Sequence, residues 1–154
     1  MARGNRHDNP RDLALAVLVR VEKTTVGSQE ALSGAFANCP RMSRQDKGLA
    51  TELLYGCLRW RHYLDYGLLQ ASGRGSLKFN THVSWARRMG AYQMVFPDRI
   101  PAHAAVDNAV RQARSVAGQR VAGFTNAVLR KVAAGGAKGI FLKSVLARFA
   151  KIIQ

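Results

Sequence analysis

The chain has 154 residues, 47% of them apolar and 21% charged, a globular composition with room for a single core. Twenty-four Lys and Arg against nine Asp and Glu leave a net charge of +15, a field that draws polyanions, with nucleic acid the leading candidate and an anionic membrane surface the second. The longest stretch without a charged residue, 31–40, is 10 residues, about half of what a membrane-spanning helix needs.

Residues 1–9 read as a basic arm carrying Arg3 and Arg6. Asp8 or Asn9 caps a first helix with Pro10 in its opening turn, where a missing N–H costs nothing. Leu13, Val17, Leu18 and Val21 then share one face. The apolar run 13–19 is seven residues long, follows Asp8 and Asp12, and leads to no small-residue cleavage site. No secretory leader is expected, and the expected location is the cytoplasm. A shorter helix spans Ser28–Ala37, with Leu32, Ala35 and Phe36 inward, and Cys39-Pro40 stops it. Ser43 and Asp46 have capping-box spacing, with Asp in place of Glu. Leu49, Leu53, Leu54, Cys57 and Leu58 follow at helical intervals.

A run through Tyr63, Leu64, Leu68 and Leu69 ends at the breaker Ser72-Gly73-Arg74-Gly75-Ser76. Residues 83–96 keep a helical period up to Pro97. Pro101 opens a helix with Val106, Ala109, Val110, Ala113 and Ala117 in register, and Gly118 closes it. Val121, Phe124, Val128 and Val132 mark the last core helix. No strand-type alternation occurs. The pattern predicts an all-α bundle of about seven helices over residues 10–134. Residues 135–154 read as a Gly-rich hinge and a basic amphipathic tail on which Leu142, Val145, Leu146, Phe149 and Ile153 share a face.

Signatures of catalysis are missing. Gly73, Gly75 and Lys78 do not make the phosphate-loop pattern, and no nucleophile elbow, zinc-protease or dinucleotide motif occurs. His62 and Asp65 at i, i+3 could orient an imidazole, and His103 reads as a first-turn capping or packing residue. Cys39 and Cys57 form no metal-type spacing and read as buried thiols. The expectation is no catalysis on this chain, and neither a cofactor nor a metal.

The basic side chains carry the partner argument. Residues 108–154 hold nine of them and no acid, so solvation of charged faces is the weaker explanation there. Arg111 and Arg114 lie at i, i+3, Arg120 follows across the Gly118 turn, and Arg130 and Lys131 end the last core helix. With Arg6, Arg11, Arg59 and Arg61 they form the expected RNA-binding set. Trp60 and Tyr63 beside Arg59 and Arg61 suit base stacking, whereas Trp85, Met89, Tyr92 and Phe96 fall on one face and read as a core seam. Asp46, Asp98 and Asn126 are expected to hold the fold, with Asn126 pairing with Arg130 at i, i+4 and Asn108 pairing with backbone.

Three segments carry a resemblance: DKGLATELLYGCLR at 46–59, DRIPAHAAVDNAV at 98–110 and GFTNAVLR at 123–130. In this order, over roughly residues 10–134, they resemble the NusB-like RNA-binding domain. They are most similar to the N-terminal domain of Sun/RsmB-type ribosomal RNA (cytosine-5) methyltransferases. The resemblance implies an all-α fold of two helical subdomains and RNA binding, most of all to ribosomal RNA. It also implies a role in positioning RNA for methylation or in transcription antitermination, with a ribosomal or transcription protein, or a separate methyltransferase domain, as further partner. The catalytic domain of those enzymes has no counterpart after Ala134, and Cys39 and Cys57 do not match its cysteine pair. Three readings stay open: a stand-alone module, a truncated methyltransferase, and a subunit completed by another protein. An adaptor that docks a protein rather than RNA is the rival function.

Overall fold

The computed structural model describes residues 8–77, 79–96 and 100–135. Among them are seven helices: α1 (Pro10–Lys23), α2 (Ser28–Ala37), α3 (Arg44–Arg59), α4 (Arg61–Ser72), α5 (Thr81–Val95), α6 (Ala102–Ala117) and α7 (Gln119–Ala134). The all-α expectation therefore holds. Local chemistry sets the ends: Asn9 Oδ1 accepts from the Arg11 N–H at 2.9 Å, Ser43 Oγ from the Asp46 N–H at 3.1 Å, and Asn80 Oδ1 from the Val83 N–H at 2.9 Å. Each bond satisfies an N–H that the first helical turn leaves open.

The chain divides between Arg59 and Trp60 into two compact units. In the first, α1 packs on α2 and α3, burying Leu13, Val17 and Leu18 against a core that also holds Leu53, Leu54 and Cys57. Val21, Ala35 and Phe36 are only half-buried, at the margin of the faces that their spacing assigns them to. Cys39 and Cys57 are buried free thiols.

The second unit is built around α5, which packs against α4, α6 and α7. Trp85 and Met89 are fully buried and Tyr92 nearly so, as the seam reading expects. The burial goes further than one face, because neighbours on three sides also enclose Ala86, Arg87, Arg88, Gly90, Ala91 and Gln93. Small residues permit that approach. A Cβ built on Gly90 would stand 3.0 Å from Ala109 Cβ on α6 and 3.0 Å from Leu129 Cδ1 on α7. Leu129 can turn aside, but Ala109 Cβ moves only with its backbone. Gly90→Ala is therefore expected to lower stability by about 1–3 kcal/mol despite alanine's better helix propensity. Chemical denaturation measures this, and a stabilised variant would show that α6 yields freely.

Arg87 and Arg88, adjacent and about 100° apart around the helix, leave α5 in different directions. Arg88 reaches α4, where Nε donates to Asp65 Oδ1 at 2.6 Å and Nη2 to Asp65 Oδ2 at 3.1 Å, while its guanidinium lies 4.4 Å from the Trp85 ring centre. Arg87 reaches α7, where Nε donates to Thr125 Oγ1 at 3.1 Å.

Candidate RNA-binding surface

The turn between α6 and α7 is one residue long. Gly118 has φ +84° and ψ −177°, a conformation that an L side chain adopts only under strain. Its N–H donates to Arg114 O at 3.0 Å, and its own carbonyl accepts from the Ala122 N–H at 3.1 Å. A single glycine thus ends one helix and starts the next, and sets Arg114 and Arg120 on either side of a sharp corner.

Two of the arginines here, Arg114 and Arg130, are held by amides. Arg114 Nε donates to Gln119 Oε1 across the corner at 2.8 Å, and Arg130 Nε donates to Asn126 Oδ1 at 3.1 Å. Both guanidinium groups are exposed. A neutral acceptor orients the planar fork without cancelling its charge, leaving N–H groups for a bidentate anion. Asn126 has the partner that its spacing predicts. Asn108 likewise donates from Nδ2 to Ala104 O at 3.0 Å, and its Oδ1 accepts from Arg111 Nη2 at 3.4 Å.

Helix electrostatics separate the members of this set. Lys131 lies in the last turn of α7, where the helix dipole welcomes a cation. Arg120 lies in the first turn of the same helix, where the dipole opposes it, and no acid is present in that turn. The helix dipole gives no reason for a cation there. Arg120 and Arg130 are ten residues apart, about 15 Å along the helix axis. They can serve separate phosphates of one strand but not the same one.

Elsewhere the placements are mixed. Arg11 is half-buried on α1 and Arg59 exposed in the last turn of α3. Arg61 opens α4 with its guanidinium 5.4 Å from the ring centre of buried Trp85, which draws it toward the core. Trp60 is exposed, yet its ring stacks on Phe96 at 5.0 Å and meets Tyr63 edge-on at 5.6 Å. These contacts occupy part of the aromatic surface that the sequence offers for stacking. Burial pushes the Tyr63 hydroxyl above the ordinary tyrosine range. Asp65 engages Arg88 bidentately through its carboxylate, while the His62 side chain is exposed. The i, i+3 spacing therefore does not capture the main partner of Asp65, which is 23 residues away. His103 is exposed, so packing does not explain it. Arg6, Asp98 and the tail 136–154 lie outside the described residues.

Arg87 is not in the RNA-binding set that the sequence predicts. It is 3% exposed, with its guanidinium 5.2 Å from the Phe79 ring centre and 5.0 Å from that of Phe124. Arg74 lies over the same Phe124 ring at 4.2 Å. Burial first, and then the nearby Arg74 charge, hold Arg87 below the usual arginine range. A signal was present in the composition of α5, which contains no Lys, Asp or Glu. A helix without the usual solvent-facing charges is one covered on several sides.

A two-unit all-helical fold and the three sequence segments together define a NusB-like domain. The chain belongs to the NusB family, which it matches over residues 8–134. It is similar to the probable ribosomal RNA small subunit methyltransferase B of Bacillus subtilis, at 34% identity over 79% of this chain and 27% of that protein. The ribosomal RNA small subunit methyltransferase B of Thermus thermophilus is 36% identical over 83% of this chain and 31% of its own length. That of Pseudomonas putida is 32% identical over 80% and 27%. The chain thus spans between a quarter and a third of the length of these relatives. Among the described residues no helix is long and apolar enough to cross a membrane.

Proposed function

We propose that this NusB-family chain binds RNA, with ribosomal RNA as its target, and positions it for methylation by a methyltransferase domain. Backbone phosphates supply the affinity through Arg111, Arg114, Arg120, Arg130 and Lys131, and exposed bases beside them supply any preference for sequence. The observation that carries this reading is the α6–α7 corner: Arg114 is oriented by a neutral amide and Arg120 sits where the helix dipole opposes a cation. Arg120 gains nothing from the helix dipole there, and both groups keep a positive charge that suits a polyanion. The names of the relatives favour ribosomal RNA as that polyanion. Chemistry on the RNA is assigned to the partner domain, whether it is joined to this domain or separate.

Binding to a ribosomal RNA fragment across about 50 to 200 mM salt tests the reading. Six to ten phosphate contacts cost about three to five decades of affinity over that range. A steep slope with preference for ribosomal RNA over an unrelated RNA is expected. A steep slope without preference would reduce the reading to a nonspecific field, and weak salt-insensitive binding would replace it with the protein-docking adaptor.

A further inference from the structure

Arg87 and Arg74 form a second cationic centre, whose two cations lie on elements other than α6 and α7. Arg87 reaches it from α5, Phe124 from α7, and Arg74 and Phe79 from the connection between α4 and α5. Both cations sit against one phenyl ring, and neither is paired with a carboxylate among the described residues. Arg87 gives its Nε proton to Thr125, while its buried Nη2 has no acceptor among those residues. Burying a guanidinium N–H without an acceptor, next to a like charge, costs stability. An anion at Arg87 Nη2 within reach of Arg74 would remove both penalties at once.

The surroundings define that anion further. Phe79 is 47% exposed and stands one residue before the Asn80 cap of α5, so the positive end of the helix dipole faces the same region. Its backbone is held by Ser84 Oγ, which donates to the Phe79 carbonyl at 3.4 Å. Arg74 is exposed and follows Gly73, whose left-handed φ of +66° ends α4. An exposed arginine and an exposed phenyl ring thus lie beside a buried arginine with a spare N–H. An apolar ring next to paired cations suits a ligand that joins a phosphate to a flat ring.

We infer that Arg74, Arg87 and Phe79 form a nucleotide subsite, in which the two guanidinium groups take a phosphodiester of unpaired RNA and Phe79 stacks on the adjoining base. This deepens the RNA-binding reading above and rests on it. The subsite uses cations other than Arg114 and Arg120 and gives the domain a point of contact with single-stranded rather than purely helical RNA.

Anisotropy titrations of the full chain with a labelled single-stranded hexauridylate, repeated across salt, test it. Arg74 and Phe79 are exposed, so their variants leave the core intact. Phe79→Ala is expected to weaken binding about tenfold with an unchanged salt slope, because stacking is not ionic. Arg74→Ala is expected to weaken it about three- to tenfold and to lower the slope by about 0.7, the value of one phosphate on a single strand. If both variants bind like the unaltered chain while Arg114→Glu/Arg120→Glu binds weakly, the subsite is wrong and the RNA-binding reading stands. If the unaltered chain binds no RNA at about 50 mM salt, both fall together.

Discussion

Arg114→Glu/Arg120→Glu is expected to reduce affinity for ribosomal RNA by about ten- to a hundredfold and to lower the salt slope by about 1.4–1.8. Two phosphate contacts are lost, and two carboxylates now repel the strand. The fold is expected to survive, because both positions are exposed. Arg114 in the last turn of α6 gives up a favourable dipole interaction, while Glu at position 120, in the first turn of α7, gains one of similar size. Each is worth about 0.3–1 kcal/mol, so they offset. Thermal unfolding within a few degrees of the unaltered chain, beside a large loss of binding, is the expected pair of results. Unchanged binding would remove the α6–α7 corner from the interface.

Asp65→Ala is expected to destabilise the second unit by about 2–3 kcal/mol, discounted from the 3–5 kcal/mol typical of a fully buried pair. The discount reflects the 43% exposure of the Asp65 side chain, against 10% for that of Arg88. Removing the carboxylate strands a guanidinium among apolar neighbours. Arg88→Met leaves only an aspartate that already meets water. The two halves of one bidentate contact are therefore expected to differ, with Arg88→Met costing about 1 kcal/mol, part of it the lost contact with Trp85. The double variant is expected to recover part of the Asp65→Ala loss. Thermal unfolding reads this as a drop of about 4–12 °C for Asp65→Ala. A larger cost for Arg88→Met would show that the pair's attraction outweighs its desolvation.

Helices are local objects, and their signals are local. Asn9 with Pro10, Ser43, Asn80, Pro101 and Gly118 punctuate the chain at places where backbone N–H or carbonyl groups need partners or where φ must change sign. The apolar spacing between those marks is enough to predict seven helices. The Asn126–Arg130 pair was equally legible, since i, i+4 places two side chains on one face whatever surrounds them.

Period alone does not say how many neighbours cover a helix. Trp85, Met89, Tyr92 and Phe96 mark one buried face of α5, but α4, α6 and α7 close over the others as well, and Arg87 and Arg88 go inside with them. The partner of Asp65 escapes local spacing for a related reason. His62 is close in sequence, whereas Arg88 is brought close by helix packing and offers a planar two-pronged donor.

By itself the sequence determined the all-helical class, the helix order, the family and the sign of the charge, because these follow from nearest-neighbour geometry, motif order and composition. Tertiary structure decided which cations are neutralised. Asp65 is spent on buried Arg88, Gln119 and Asn126 orient Arg114 and Arg130 without cancelling them, and Arg87 meets Arg74 over a shared ring. Electrostatic interactions depend on distance and burial, and the packing of helices far apart in sequence sets both.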